Sequence, residues 1–222
     1  GEHRLTACIG LATATSSTAS ARELIRDADT ALNVAKGSGP DSVTVFDDHL
    51  RELALARQST VAGLHRAIAS GDLVVHFQPV VDLRSGATRG VEALVRWKTP
   101  DGLRYPGDFV ELAEQVGIDV AMGTTVNDLA VAAMASWHER LEAGTRPSLS
   151  VNVTARQIRW PRFCEDLLET CDRHGLDPTC LSLELTETSV MSDPDATIPV
   201  MERLREAGIG MSLDDFGTGY SS

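Results

Sequence analysis

From about residue 60 onward, short apolar runs alternate with longer segments in which apolar residues recur every three or four positions. The short runs are predicted strands, and the periodic segments are predicted amphipathic helices. Such alternation predicts a parallel sheet, either open or closed into a barrel. The first two strands are separated by the turn Arg84-Ser85-Gly86 and could pair as a hairpin. The predicted strands are 73–81, 90–97, 149–153, 181–185 and 210–214, and the predicted helices are 60–69, 107–116, 119–142, 161–174 and 195–207.

The beginning of the chain has a separate strand–helix–strand pattern. Apolar residues at 5–11 predict a strand, and a β-rich run at 42–46 predicts another. Between them, Ser20 and Glu23 form a capping-box pattern at the start of a predicted helix, which Gly37 and the following residues end.

These patterns predict the domain organisation. Residues 1–47 are too few to bury a stable core alone, so they are interpreted as the tail of a larger domain. Residues 48–58 are charged, contain no Pro or Gly, and predict a helical linker. Residues 59–222 form the next domain.

Composition narrows the possible functions. With 42% hydrophobic and 23% charged residues, the chain is typical of a globular protein. Its net charge of −12 excludes the basic surface by which proteins bind duplex nucleic acid. No apolar run is long enough to cross a bilayer, and the four cysteines have no disulfide or zinc spacing. The cytoplasm is the expected compartment, although an upstream segment could anchor a longer parent protein in a membrane.

Four predicted strands each carry an oxygen-bearing polar side chain in an otherwise apolar run. They are Glu92, Asn152, Glu184 and Asp214, and Asp215 follows directly. A carboxylate in a buried strand costs free energy unless it is paired or bound to a metal. In a β/α barrel the strand ends converge at one mouth, and an all-oxygen set suits Mg²⁺ or Mn²⁺ better than Zn²⁺. Two ions about 3.5–4 Å apart would activate water for attack on a phosphodiester.

Alternative interpretations stay open for single residues. Each carboxylate alone is better explained as a satisfied strand-end or N-cap group, and only the set together favours metal binding. Arg96 lies four residues after Glu92, on the same strand face. Its guanidinium is suited to bind phosphate or to form a salt bridge with one of the carboxylates. Gln78 either contacts a base edge or caps a strand end before Pro79.

Five short motifs follow one another along the second predicted domain. They are FQPVVDL at 77–83, EALVRW at 92–97, SVNVT at 150–154, ELTE at 184–187 and DDFGTGYSS at 214–222. In order and spacing they resemble the EAL family, whose members are cyclic di-GMP phosphodiesterases named for the Glu-Ala-Leu triplet. The resemblance runs from about residue 58 to the last residue of the sequence, and five motifs in the same order make it highly specific.

This resemblance implies a modified (β/α)₈ barrel that hydrolyses cyclic di-GMP to pGpG with two Mg²⁺ or Mn²⁺ ions. It also implies that the loop starting at Phe216 takes part in homodimerisation and activation. The implied metal ligands are Glu92, Asn152, Glu184, Asp214 and Asp215, the last also catalytic; the implied loop-stabilising residue is Glu187, and the implied substrate contacts are Gln78, Leu94 and Arg96.

Residues 1–47 resemble the end of a GGDEF domain, the diguanylate cyclase fold. The matching segments are ACIGLA at 7–12 and ADTALNVAK at 28–36, with Asn33 in place of the usual tyrosine. The Gly-Gly-Asp-Glu-Phe signature does not occur in the chain, so cyclase activity is not assigned to it.

The resemblance also predicts that the barrel is incomplete at its C-terminus. The family's late lysine and glutamate and its remaining strands are expected beyond Ser222. We therefore expect the fragment alone to be inactive, and a longer parent protein to be the phosphodiesterase. The alternative is a receptor that binds cyclic di-GMP without cleaving it.

Overall fold

A computed structural model describes residues 5–14, 20–186 and 190–214 of the chain. The chain divides into two compact units, residues 1–62 and 63–222. Each unit is described by itself below.

The first unit contains two short strands and the helix between them. Strands β1 (Ile9–Leu11) and β2 (Val43–Val45) pair in parallel, and helix α1 spans Ala21–Gly37. The predicted capping box is confirmed, because the Ser20 hydroxyl accepts from the Glu23 amide at 3.2 Å and the Glu23 carboxylate accepts from the Ser20 amide at 2.9 Å. Both strands are shorter than predicted, since only three residues of each form the ladder.

A single helix, α2 (Asp48–Ser70), follows the first unit's last strand. The Asp47 carboxylate caps its start by accepting from the Leu50 amide at 2.8 Å. Gly71 ends the helix with a positive φ of 79°. The segments predicted as a linker and as a helix over 60–69 are therefore parts of one continuous helix.

The second unit is built on a mixed sheet. Its strands are β3 (Leu73–Val81), β4 (Thr88–Thr99), β5 (Gly102–Arg104), β6 (Ser148–Asn152), β7 (Leu181–Thr186) and β8 (Gly210–Asp214). The strand order is β3-β4-β6-β7-β8, and β5 pairs with β4 beside this path. The β3–β4 pair is antiparallel, which confirms the predicted hairpin, and β4, β6, β7 and β8 are parallel.

Helices connect the parallel strands. They are α3 (Val110–Val116), α4 (Asp119–Arg140), α5 (Ala155–Ile158), α6 (Phe163–His174) and α7 (Pro194–Glu206), with single 3₁₀ turns at Pro106–Asp108, Ala143–Thr145 and Pro178–Cys180. Gly117 and Gly175 end α3 and α6 in the left-handed conformation. The predicted α/β fold is confirmed.

Side chains alternate between the two faces of the sheet. On β7, Leu181, Leu183 and Leu185 are buried, whereas Ser182 and Glu184 lie on the opposite, partly exposed face. The buried face packs against α4, α6 and α7 in the larger apolar cluster. A smaller cluster joins the end of α2 to β3, β4, α3 and α4. The helices thus cover one face, and the polar residues of the strands project from the other.

Candidate active site at the strand ends

The predicted polar residues lie side by side across four strands. Glu92 on β4 stands opposite Ser150 of β6 in the ladder, and two residues further along β6, Asn152 pairs with Glu184 of β7. Asp214 ends β8 opposite Thr186, two residue pairs beyond Glu184. Because these strands are parallel, all four residues approach the same end of the sheet. We call Glu92, Asn152, Glu184 and Asp214 the acidic edge.

Direct interactions connect the members of the acidic edge. The Asn152 amide nitrogen donates a hydrogen bond of 2.7 Å to Oε1 of Glu92. Partial burial raises the pKa of Glu184 above its usual value, a hydrogen bond from Ser150 lowers it in part, and the negative charges of Glu92 and Asp214 raise it further. Three carboxylates therefore share one electrostatic environment, which a cation would stabilise.

The acidic edge is more open than the sequence argument assumed. Its residues were expected inside buried strands, but Glu92 and Glu184 are half-buried and Asn152 and Asp214 are exposed. The reason is the period-2 alternation of the strands, which sends the neighbouring apolar residues to the helices and the polar ones to the other face. Water and ligands can therefore reach these groups.

The donor chemistry fits Mg²⁺ or Mn²⁺, which prefer carboxylate and amide oxygens. Among residues 5–14, 20–186 and 190–214, however, no three His, Cys, Asp or Glu side chains form a group that could hold a metal ion. Asp215, the fifth residue of the predicted ligand set, lies outside the described residues. The oxygen donors of the predicted ligand set thus suit a hard cation. Asp215 is also a member of that set.

Arg96 is held by contacts that sequence reasoning did not foresee. Its Nη1 donates to the carbonyl of Val95 at 2.8 Å, and its guanidinium lies 4.8 Å from the ring centroid of Tyr105. Its Nε is buried and has no hydrogen-bond partner within the described part of the chain. The alternative of a salt bridge to a described carboxylate is not observed. No sequence signal marks Tyr105, whose contact with Arg96 arises from the β4–β5 hairpin.

The two other predicted substrate contacts lie next to the acidic edge. Gln78 is exposed and stands directly opposite Glu92 in the β3–β4 ladder. Leu94 is half-buried and, two residues after Glu92, projects from the same face. Glu187, like the loop that starts at Phe216, lies outside the described residues.

A second residue missed from the sequence is Asp119, the first residue of α4. It is fully buried, and the Thr154 hydroxyl donates to its Oδ2 at 2.7 Å. The only sequence signal was an acidic residue at a helix start, which usually indicates nothing more than a favourable helix-dipole contact. Its partner Thr154 lies two residues after Asn152.

Two further features do not belong to the acidic edge. A cleft of about 350 Å³ lies among α4, α5 and α6, on the helical side of the sheet, and none of the predicted site residues lines it. Among the described helices, none is both long and apolar enough to cross a membrane.

Comparison with known sequences decides the family. The EAL domain profile matches residues 62–222, which is most of the chain. The chain belongs to the EAL domain family. Its motifs at the acidic edge all fall within the matched range.

Two curated relatives of this EAL domain come from Pseudomonas aeruginosa. The bifunctional diguanylate cyclase/cyclic di-GMP phosphodiesterase MucR is 37% identical over 223 residues, which cover 100% of this chain and 32% of MucR. The cyclic di-GMP phosphodiesterase NbdA is 34% identical over 224 residues, which cover 98% of this chain and 28% of NbdA. The chain therefore spans about a third or less of the length of these relatives.

Solved EAL structures share the fold. The PaMucR phosphodiesterase in complex with c-di-GMP is 39% identical with a TM-score of 0.69, over 74% of this chain and 66% of that one. The EAL enzyme Bd1971 with cAMP and cyclic di-GMP bound has a TM-score of 0.73 over 92% of this chain and 54% of that one. At 24% identity, Bd1971 is evidence for the fold alone. The EAL domain described here is thus α/β and TIM-barrel-like.

Proposed function

We propose that this EAL domain catalyses the metal-dependent hydrolysis of cyclic di-GMP to linear pGpG. The observation that carries the proposal is the hydrogen bond between Asn152 and Glu92, with the carboxylate of Glu184 on the next strand. Family membership supports it, as do MucR and NbdA, which are both named as cyclic di-GMP phosphodiesterases. Since the chain spans only part of these relatives, the activity of the whole protein is part of the proposal.

The acidic edge would hold the metal, with Glu92, Asn152, Glu184, Asp214 and Asp215 as ligands. Bound Mg²⁺ or Mn²⁺ would supply charge neutralisation and Lewis acidity toward the phosphodiester and the attacking water. The chain's own contribution is the arrangement of these oxygens. The hydrogen bond from the Asn152 amide nitrogen fixes one carboxylate oxygen of Glu92, so that the amide and the carboxylate are oriented together.

Arg96, Gln78 and Leu94 are proposed to bind the substrate. A chain with a net charge of −12 repels an anionic dinucleotide, so a cation at the site is needed besides the metal. Arg96 supplies it, and its guanidinium offers several donors to phosphate oxygens. Gln78 and Leu94 flank Glu92 and would contact the rest of the ligand. Glu187 is proposed to hold the loop from Phe216 in a competent state.

The remaining assignments are also proposals. Residues 1–47 are proposed to be the end of a GGDEF domain, which the alignment of the whole chain with bifunctional MucR supports. Residues 48–58 would then link the two domains. A homodimer through the barrel and the loop from Phe216, and a cytoplasmic location, stay predictions.

The test is a phosphodiesterase assay with Glu92→Gln. A purified longer protein that contains residues 1–222 is incubated with cyclic di-GMP and Mn²⁺, and pGpG is quantified by chromatography. Loss of groups that merely orient metal ligands costs 10- to 100-fold, so we expect loss of the Glu92 carboxylate to lower the rate by about 100-fold or more.

Glu111→Gln is the matched control, because it removes one negative charge from an exposed position on α3. We expect this variant to keep the wild-type rate. Unchanged turnover in Glu92→Gln would exclude Glu92 as a metal ligand. Tight binding of cyclic di-GMP by the wild-type protein without any pGpG would support the receptor alternative instead.

A further inference from the structure

Asp119 is a fully buried carboxylate that the proposed reaction does not use. It is the first residue of α4, and its exposed fraction is 0%. A buried carboxylate is retained only where hydrogen bonds or an opposite charge compensate for its lost hydration. Its partners therefore indicate what it does.

Among the described residues, the side chains that hydrogen-bond or ion-pair with Asp119 come from the segment that follows β6. The Thr154 hydroxyl donates to Oδ2 at 2.7 Å, and Nε of Arg156 lies 3.4 Å from Oδ1, an ion-pair distance without hydrogen-bond geometry. The Gln157 amide nitrogen donates to the backbone carbonyl of Asp119 at 2.7 Å. Three residues of one short segment thus converge on one residue of α4.

The same segment is fixed internally. Thr154 caps α5, because its hydroxyl accepts from the Gln157 amide at 3.1 Å while the Gln157 side chain accepts from the Thr154 amide at 3.0 Å. The Thr154 hydroxyl therefore donates to Asp119 and accepts from Gln157, which determines its orientation. Gly123 on α4 leaves room for this packing, since a Cβ there would lie 2.2 Å from the Gln157 side-chain nitrogen.

This segment begins directly after Asn152. The next residue, Val153, donates its amide to the Glu184 carbonyl at 2.9 Å, and Thr154 follows. Asn152 is thus the last residue of β6, and Thr154, two residues later, is held by Asp119 of α4 from outside the sheet. Without that hold, only the backbone bond from Val153 to Glu184 would restrain this strand end among the contacts described above, and we expect the hydrogen bond from Asn152 to Glu92 to lose its fixed geometry.

We propose that Asp119 is a positioning residue for the active site, which fixes Asn152 through its hydrogen bond with Thr154. The inference rests on the proposed function for its catalytic meaning. The structural part of the inference, that Asp119 orients the Asn152 side chain, does not depend on the proposed function. Asp119 touches neither metal nor substrate in this scheme and acts only through the segment after β6.

The experiment compares Asp119→Asn with Thr154→Val in a protein containing residues 1–222. The first variant keeps the shape of the side chain, and the second removes the same hydrogen bond from the other side. Mn²⁺ affinity is measured by electron paramagnetic resonance of the free ion, together with kcat and KM for cyclic di-GMP. We expect the Mn²⁺ dissociation constant to rise about tenfold in both variants, with KM unchanged.

A second measurement needs no metal. In the metal-free protein, NMR gives the hydrogen-exchange rate of the Asn152 side-chain amide, which the contact with Glu92 protects. We expect this exchange to be faster in both variants than in the wild type. Because the measurement is independent of turnover, it decides the positioning role even if the wild-type protein neither binds Mn²⁺ nor cleaves cyclic di-GMP, a result that would refute the proposed function alone.

Asp128→Asn is the matched control. Asp128 lies on the same helix and pairs with Arg173 at 2.6 Å and His174 at 2.9 Å on α6, away from the segment after β6. We expect this variant to keep the wild-type Mn²⁺ affinity and Asn152 exchange. The inference is overturned if Asp119→Asn and Thr154→Val leave Asn152 exchange unchanged, or if Asp128→Asn alters it equally.

Discussion

The guanidinium of Arg96 rests on an aromatic ring that is itself 57% exposed. Tyr105 supports one face of the guanidinium, while Nη1 of Arg96 donates to the Val95 carbonyl. A cation–π contact at an exposed site contributes about 0.5–1 kcal/mol, which corresponds to a factor of about 2–5 in binding.

We predict that Tyr105→Leu lowers kcat/KM for cyclic di-GMP by about 2–5-fold, because Arg96 loses its support. Tyr105→Phe keeps the ring and is expected to retain the wild-type value. Steady-state kinetics of both variants checks this. An equal loss in Phe and Leu variants would assign the effect to the hydroxyl rather than to the ring.

At the residue scale, the sequence identified the members of the acidic edge because the signal for each of them was local. Glu92, Asn152 and Glu184 each interrupt an apolar strand, and the structure places them together at the strand ends. Asp119 and Tyr105 gave no such signal, because their roles depend on partners brought close by folding. The contact of Asp119 with Thr154, for example, joins residues 35 positions apart.

Strand β1 and helix α1 approach each other unusually closely at Gly10. A Cβ at this position would lie 2.2 Å from both the Ala28 carbonyl oxygen and the Leu32 backbone nitrogen. Backbone atoms of a helix cannot move aside as the end of a side chain can, so any larger residue separates the two elements.

We predict that Gly10→Ala destabilises the first unit by about 1–3 kcal/mol, the usual cost of overpacking. Hydrogen exchange of the α1 amides, measured in the intact protein, should become faster. Gly37→Ala is the control, since nothing lies within 4 Å of a Cβ there. Wild-type protection in Gly10→Ala would show that the two elements can separate without cost.

At the element scale, whether a segment is a helix or a strand was easier to predict than its first and last residues. Helix α1 begins where its capping box indicated, because the capping residues and the helix are adjacent in sequence. The sequence predicted that a linker ends and a new helix begins at about residue 59, but helix α2 continues through this position. The apolar pattern changes at residue 59 while helix-forming residues continue. The length of β1 is set by its partner β2, which the apolar run at 5–11 does not reveal.

Cys171 reports on the integrity of the larger apolar cluster. It is fully buried in that cluster, and burial, with smaller effects from Asp177 and Cys180, raises the pKa of its thiol to about 11. Only the thiolate reacts with common thiol reagents. At pH 8, three units below this pKa, about one molecule in a thousand carries the thiolate.

We predict that iodoacetamide at pH 8 labels partly exposed Cys8 in the native protein but not Cys171. Denaturant should make both cysteines reactive, since unfolding returns the thiol of Cys171 to water and its pKa toward the ordinary value. Mass spectrometry of the labelled peptides provides the measurement. Rapid native labelling of Cys171 would mean that the cluster opens readily.

At the scale of the whole molecule, the sequence predicted the α/β class and the β3–β4 hairpin. Both depend on periodicity and turn residues that lie within short stretches of the chain. The existence of two separate apolar clusters was not predicted, because the partition depends on which helix face meets which strand. The exposure of the acidic edge was not predicted for the same reason.

The reversed direction of β3 has a consequence for control of the domain. Leu73, the first residue of β3, pairs with Trp97, which lies about 16 Å beyond Glu92 toward the C-terminal end of β4. The end of α2 at Ser70 therefore lies at the same end of the sheet as the acidic edge, whereas in a βαβ unit a helix leads into its strand from the opposite end. A push or twist of this helix therefore acts first on the strand ends beside the acidic edge, through the smaller apolar cluster to which Leu64 and Ala67 belong.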